Sequence, residues 1–271
     1  MSKSIKYVIL LSLVLVLCLW MLPIVTMFVT SFALRWPFPN ILPEALNAQA
    51  WDYVLNQNMD TYQSLWTTII IGLSTVVINI FIGLPAADAL GRYKFKGKSF
   101  FELLISLPIV LPPLAIILGL HRTFLRLGLT ESMTGVILAN VIPTLPYMVR
   151  ALSVGYESMG FKFEEQAQML GANRMQRITQ IIIPSLMPSL VAGSSLCILI
   201  SASQYVSVLL IGGGLIKTVP IIMFPFLVGG NQAIGSAYGF LFSGIALVLL
   251  LAMNNMLKYV YGQRNGTHTR R

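Results

Sequence analysis

An all-α, polytopic membrane protein is the fold class that three observations predict. Hydrophobic residues make up 56% of the 271-residue chain and charged residues only 10%, too few to cover a soluble domain of this size. Six segments approach or exceed the roughly 20 apolar residues a helix needs to cross a bilayer: about Tyr7–Phe32, Leu65–Leu90, Phe101–Phe124, Met133–Ser153, Pro184–Ile211 and Ile234–Tyr261. Finally, the net charge of +9 is carried by short clusters between those segments. Such clusters signal orientation in a bilayer rather than a nucleic-acid-binding face, so lipid is the expected surroundings and no nucleic acid is expected. Residues 1–271 read as a single membrane domain.

The first segment follows Lys3 and Lys6 but is too long for a signal peptide and lacks a small-residue cleavage site, so it reads as a retained helix. Lys3, Lys6, Arg92, Lys94, Lys96, Lys98, Arg150, Lys162, Arg174, Arg177, Lys258, Arg264, Arg270 and Arg271 fall on one side of the six spans, and Arg35, Arg122, Arg126 and Lys217 on the other. The richer side is expected to be cytoplasmic, with both termini inside. The segment Arg35–Ser64, carrying Trp36, Trp51, Tyr53, Tyr62 and the prolines Pro37, Pro39 and Pro43, becomes an external loop with aromatics for the interface.

Asp88 near the end of the second span is one helical turn from Arg92, which predicts an i,i+4 pair. The following GRYKFKGKS, Gly91 to Ser99, has five residues between its glycines instead of four and follows a membrane helix instead of a strand, so it is not a phosphate-binding loop. It reads as an anchor near anionic lipid. Pro108, Pro112 and Pro113 in the third span, with Pro143 and Pro146 in the fourth, predict bent helices that pack or shape a pathway. The deepest polar groups are Asn140 and Thr144 in the fourth span and Ser201, Ser203 and Gln204 in the fifth. They are candidates to line a pathway, and interhelical hydrogen bonding is the open alternative. Gly212 to Asn231 reads as a flexible outer loop, with partial re-entry into the membrane as the open alternative.

Chemistry is sparse. Cys18 and Cys197 lie in apolar runs and read as reduced packing residues. His121 and His268 lack partners at metal-ligand spacing, so no metal site is expected. No nucleophile–base arrangement or carboxylate pair is visible within the spans, and no catalytic residue is expected.

One polar block interrupts the apolar pattern, residues 162–184. Phe163 to Leu170 favours a helix with Glu164 and Glu165 in its first turn, where they complement the helix dipole. Gly171 is placed to end it in a left-handed conformation, and Asn173 to cap a second short helix with Pro184 opening the next span. From these residues alone, an amphipathic connector and a docking element both fit.

Glu165, Ala167, Gly171, Ile181 and Pro184 are spaced like the EAA loop of permease subunits in binding-protein-dependent ABC importers, with Gln166 and Ile183 as mild departures. The stretch Arg92 to Lys98 resembles another hallmark of that family, and the resemblance extends over most of the chain. It implies an inner-membrane subunit of a bacterial cell, not an enzyme itself. It also implies that Glu164, Glu165, Ala167 and Gly171 couple to a separate dimeric ATP-binding subunit, with ATP and Mg held there and no cofactor in this chain. A second, distinct permease chain and an extracytoplasmic solute-binding protein complete the implied assembly. The layout looks like the branch that moves polyamine, iron, thiamine or anions, and a small polar solute such as a polyamine or thiamine is the expectation, with a neutral or mixed-charge solute fitting equally well. Ser203 and Gln204 stand where acidic residues would be expected for a polyamine. The competing hypothesis is a self-contained channel or secondary transporter, which would be expected to show buried ionisable groups or an internal repeat.

Overall fold

The computed structural model describes residues 3–36 and 40–266. Pro37, Pro39, His268, Arg270 and Arg271 therefore lie outside the described residues. The order is α1 (Lys3–Ser31), β1 (Ala33–Arg35), β2 (Ala45–Leu46), α2 (Gln49–Asp52) running into a π-helical turn (Tyr53–Gln57), and α3 (Asp60–Arg92). There follow α4 (Lys98–Val110), α5 (Pro113–Leu127), α6 (Met133–Met159), α7 (Lys162–Met169), α8 (Arg174–Arg177), a second π-helical turn (Ile178–Ile182) and α9 (Ile183–Ala202). Last come α10 (Tyr205–Gly212), α11 (Val219–Val228) and α12 (Gln232–Gly266). The protein is all-α and polytopic: among the described residues five helices are long and apolar enough to cross a membrane, or six if one bent pair counts as a span.

Four expected elements differ from what forms. The stretch Gly212 to Asn231, expected as a flexible outer loop, carries the ten-residue apolar helix α11 (Val219–Val228). The third span is not a single rod: α4 and α5 meet at 99°. Pro112 and Pro113 remove two backbone donors, and Leu111, held at ψ 144° ahead of a proline, has left the helical region. The fifth span, expected as Pro184–Ile211, breaks at Ser203 and Gln204 into α9 and α10. Its other end is longer than expected: α8, the π-helical turn and α9 form one continuous helix, Arg174–Ala202. The second loop helix is therefore the start of the span and not a separate piece. Pro184 explains the π-helical turn just before it, because a proline cannot donate to the residue four back and its ring crowds that carbonyl.

The chain divides into two compact units. In the unit formed by Met1–Gln63 and Ile222–Gly244, Tyr238 is fully buried, and its hydroxyl bonds the Asn58 amide and the Thr61 hydroxyl, each at 2.8 Å. Its ring stacks on Phe226, which meets Tyr53 edge-on. Asp52 accepts hydrogen bonds from the amides of Asn56 and Gln57, which hold its carboxyl below the usual range.

In the unit formed by Ser64–Ile221 and Ile245–Arg271, α6 is the central helix. Its Met148, Val149, Leu152 and Tyr156 pack with Val76, Ala87 and Leu90 of α3 and with Leu186, Cys197 and Ile198 of α9. Nearer its start, Val136 and Ala139 join Ile117 and Phe124 of α5 and Val208 and Ile211 of α10. Close approach depends on missing side chains. A Cβ on Gly155 would lie 2.4 Å from the Ser189 hydroxyl, and one on Gly91 would lie 2.6 Å from the Ser153 carbonyl oxygen.

Candidate functional site

The polar block folds around α7 and its exit turn. Glu164 and Glu165 stand in the first turn of α7, where a helix N-terminus favours negative charge. At the other end Gly171 takes φ +85°. There the Ala172 amide donates to the Ala167 carbonyl and the Gly171 amide to that of Gln168, both at 3.0 Å. That pair of bonds is a Schellman ending, which needs the left-handed residue that glycine supplies. Asn173 then caps α8 reciprocally: its side chain accepts from the Gln176 amide while the Gln176 side chain accepts from the Asn173 amide, each at 2.8 Å. Two caps back to back make the turn stiff.

The two glutamates face different ways. Glu165 is exposed, whereas Glu164 is half-buried and bonds Arg92 at 2.7 Å and Arg177 at 3.5 Å. The Arg92 side chain is 4% exposed. It also pairs with Asp88, as the i,i+4 spacing predicts, and donates to the Gly160 carbonyl at 3.4 Å. Its guanidinium lies 4.8 Å from the ring centre of Tyr156 and 4.7 Å from that of Phe161, within reach of cation–π attraction. Arg177 continues the chain to Gln168 of α7 at 3.0 Å. Asp88, Arg92, Glu164 and Arg177 thus tie the end of α3, the end of α6, α7 and the start of the long α8–α9 helix into one knot. A cavity of about 260 Å³ opens nearby, with Gly91, Lys98, Glu102, Arg150 and Glu157 on its wall.

The outward side of this region is apolar. Phe163, Met169, Leu170 and Met175 are 59%, 79%, 89% and 69% exposed. Ala167 is half-buried and Gly171 exposed. An apolar Met169–Leu170 pair directly before the helix-ending glycine was the available sequence signal for this patch. The link from Arg92 to Glu164 had none, since 72 residues separate them.

The pathway candidates separate into two groups. Asn140 and Thr144 are fully buried and Ser201 nearly so. The Asn140 amide donates to the Ser201 hydroxyl at 3.1 Å, and Asn79 of α3, which sequence reasoning missed, donates to the Thr144 hydroxyl at 2.6 Å. These three candidates therefore bond helices together in this conformation. Ser203 is exposed and Gln204 half-buried, both at the break between α9 and α10. Gln204 accepts from Ser207 at 3.0 Å across the first turn of α10.

Comparison with known proteins adds a family and a fold. Residues 79–260 match the family described as binding-protein-dependent transport system inner membrane component. The chain is 28% identical over 233 residues to the sulfate transport system permease protein CysT of Salmonella typhimurium, covering 80% of this chain and 83% of that one. It is 26% identical to the sulfate transport system permease protein CysW of Synechococcus elongatus, covering 86% of each. A chain of the bacterial alginate ABC transporter, solved in complex with an alginate pentasaccharide-bound periplasmic protein, superposes with a TM-score of 0.67. That match has 17% identity and covers 95% of this chain and 97% of that one.

Proposed function

Because this chain belongs to the family of binding-protein-dependent transport system inner membrane components, we propose that α7 and its exit turn dock a separate dimeric ATPase. The chain is a permease subunit of an ABC importer and a multi-pass membrane protein. In the proposed assembly the basic end of its spans faces the cytoplasm, with both termini on that side. A second permease chain completes the pathway, and an external binding protein delivers the solute.

The exposed face carrying Glu165, Met169 and Leu170 is the observation that supports this docking. An apolar patch on a stiff, doubly capped turn, with one free carboxylate beside it, has the composition of a protein contact rather than of a solvated loop. Ala167 and Gly171, small residues on the same turn, permit close backbone approach. Glu164 contributes indirectly in this scheme, holding the turn against the spans through Arg92 and Arg177. Glu165→Lys is expected to cut ATP-dependent uptake by reconstituted complexes about ten-fold or more, the scale of one lost charged contact at an interface. Transport and ATPase coupling at the original level would show that the ATPase docks elsewhere.

The solute this reading favours is a small oxyanion of the sulfate type, in place of the polyamine or thiamine that the family layout suggested. The sulfate permeases to which the chain is similar support it. So does the break at Ser203 and Gln204, which offers neutral hydrogen-bonding groups and no carboxylate for a cation. Proteoliposomes containing the complex, supplied with its binding protein and internal ATP, are expected to accumulate radiolabelled sulfate and not putrescine. The reverse selectivity would overturn the assignment.

A further inference from the structure

We infer that Arg92 is the positioning residue that carries a displacement of α7 into α3, an inference that rests on the docking role proposed for α7. Four observations converge on it. Arg92 is the last residue of α3 and so stands at the loop end of that helix. Its guanidinium, almost wholly enclosed, is held by carboxylates from two different elements, Asp88 on its own helix and Glu164 on α7 at 2.7 Å. Its guanidinium carbon lies within 5 Å of the ring centres of Tyr156 at the end of α6 and Phe161 just before α7, at 4.8 Å and 4.7 Å. Close by, the tight contact of Gly91 with the Ser153 carbonyl and Tyr156 fixes the backbone of α3 against α6.

The geometry makes the link directional. A guanidinium offers five donors in a fixed fork, so it can hold two carboxylates and a carbonyl at once, whereas an ammonium acts as a point charge. Pulling α7 away from α3 would break the Arg92–Glu164 pair and leave the enclosed guanidinium with Asp88 as its remaining carboxylate partner, a loss that is costly away from water. The lower-energy response is for α3 to follow. Arg177 gives Glu164 a second tie to the α8–α9 helix, so one carboxylate joins the loop to two spans. The elements α4, α5 and α10 have no member in this knot among the described ion pairs and would move through packing alone.

The test uses the intact complex of this chain with its partner permease and ATPase. Hydrogen–deuterium exchange is followed in residues 84–96 and 162–169, with and without ATP plus vanadate. In the original complex both segments are expected to change protection. In Arg92→Gln the response of 162–169 persists while that of 84–96 falls at least about five-fold, the lower end of ordinary coupling between sites. Arg92→Lys, which keeps the charge but loses the fork, is expected to lie between. An undiminished response of 84–96 in Arg92→Gln overturns the inference. If that variant does not assemble, an undiminished response in Arg92→Lys does so instead. If 162–169 is silent in the original complex, the docking role of α7 fails and the inference falls with it. If 162–169 responds there without 84–96, only the role of Arg92 fails.

Discussion

Gly135→Ala destabilises the chain by more than about 3 kcal/mol, the upper end of ordinary overpacking. A Cβ on Gly135 would stand 1.8 Å from the Leu129 carbonyl oxygen, and a backbone atom cannot swing aside as a side chain can. The turn it meets is pinned from several directions. Ser132 caps α6 by accepting from the Gly135 amide at 3.0 Å, while its hydroxyl donates to that same Leu129 carbonyl at 2.8 Å. Glu131, in a left-handed conformation at φ 58°, donates its amide to the Ile211 carbonyl at 2.7 Å. Relief of the clash therefore requires giving up a cap or the attachment of α10. Thermal unfolding in detergent is the measurement. Gly72→Ala and Gly119→Ala, where an added Cβ meets nothing within 4 Å, are the comparison and should be neutral or stabilising by about 0.5–1 kcal/mol. Equal melting of Gly135→Ala and Gly72→Ala would show that the turn is looser than this geometry.

Leu170→Asp weakens binding of the ATPase by about 30-fold or more, the equivalent of about 2 kcal/mol and the threshold of an interface hot spot. Leu170 is 89% exposed and contributes little to the chain's own packing, so the substitution leaves the fold intact and acts only on a partner. An aspartate there must either lose its water on docking or keep the surfaces apart. Affinity is read by titrating labelled ATPase onto the permease pair in nanodiscs. Unchanged affinity would remove the apolar patch from the docking surface even if Glu165 remained in it.

How much of this was legible beforehand depended on whether the deciding interaction was local. The spans at Lys3–Ser31, Asp60–Arg92, Met133–Met159 and Gln232–Gly266 follow from apolar length, which any window of the sequence contains. The left-handed Gly171 and the Asn173 cap were legible for the same reason, being decided within four residues. The prolines announced trouble in the third span but not its size, because a proline pair dictates that the helix stops and not the angle at which the next one leaves. The break at Ser203 and Gln204 carried no local mark, with neither glycine nor proline there. Asp88 was rightly matched to Arg92 by spacing, and that match concealed the second partner. Only the return of the chain after α6 brings Glu164 to the same guanidinium. Likewise Asn140 and Thr144 read equally as pathway-lining or interhelical groups, and only the fold brings Asn79 and Ser201 to them.

The unbroken helix from Arg174 to Ala202 has a mechanical consequence. Its 29 residues, at about 1.5 Å each, make a rod of roughly 43 Å, while the hydrocarbon core is only about 30 Å thick. Standing upright in the bilayer, the rod would project something near 13 Å beyond that core, less if it tilts, and the turn at Gly171 to Asn173 sits at its loop end. A force on that end acts on a lever arm continuous with the span. The regular hydrogen-bond ladder is interrupted at the π-helical turn Ile178–Ile182 and again by Pro188, so bending is expected at those two places. Tilt and torque applied at the loop therefore arrive inside the bilayer as motion of the helix that packs most extensively on α6.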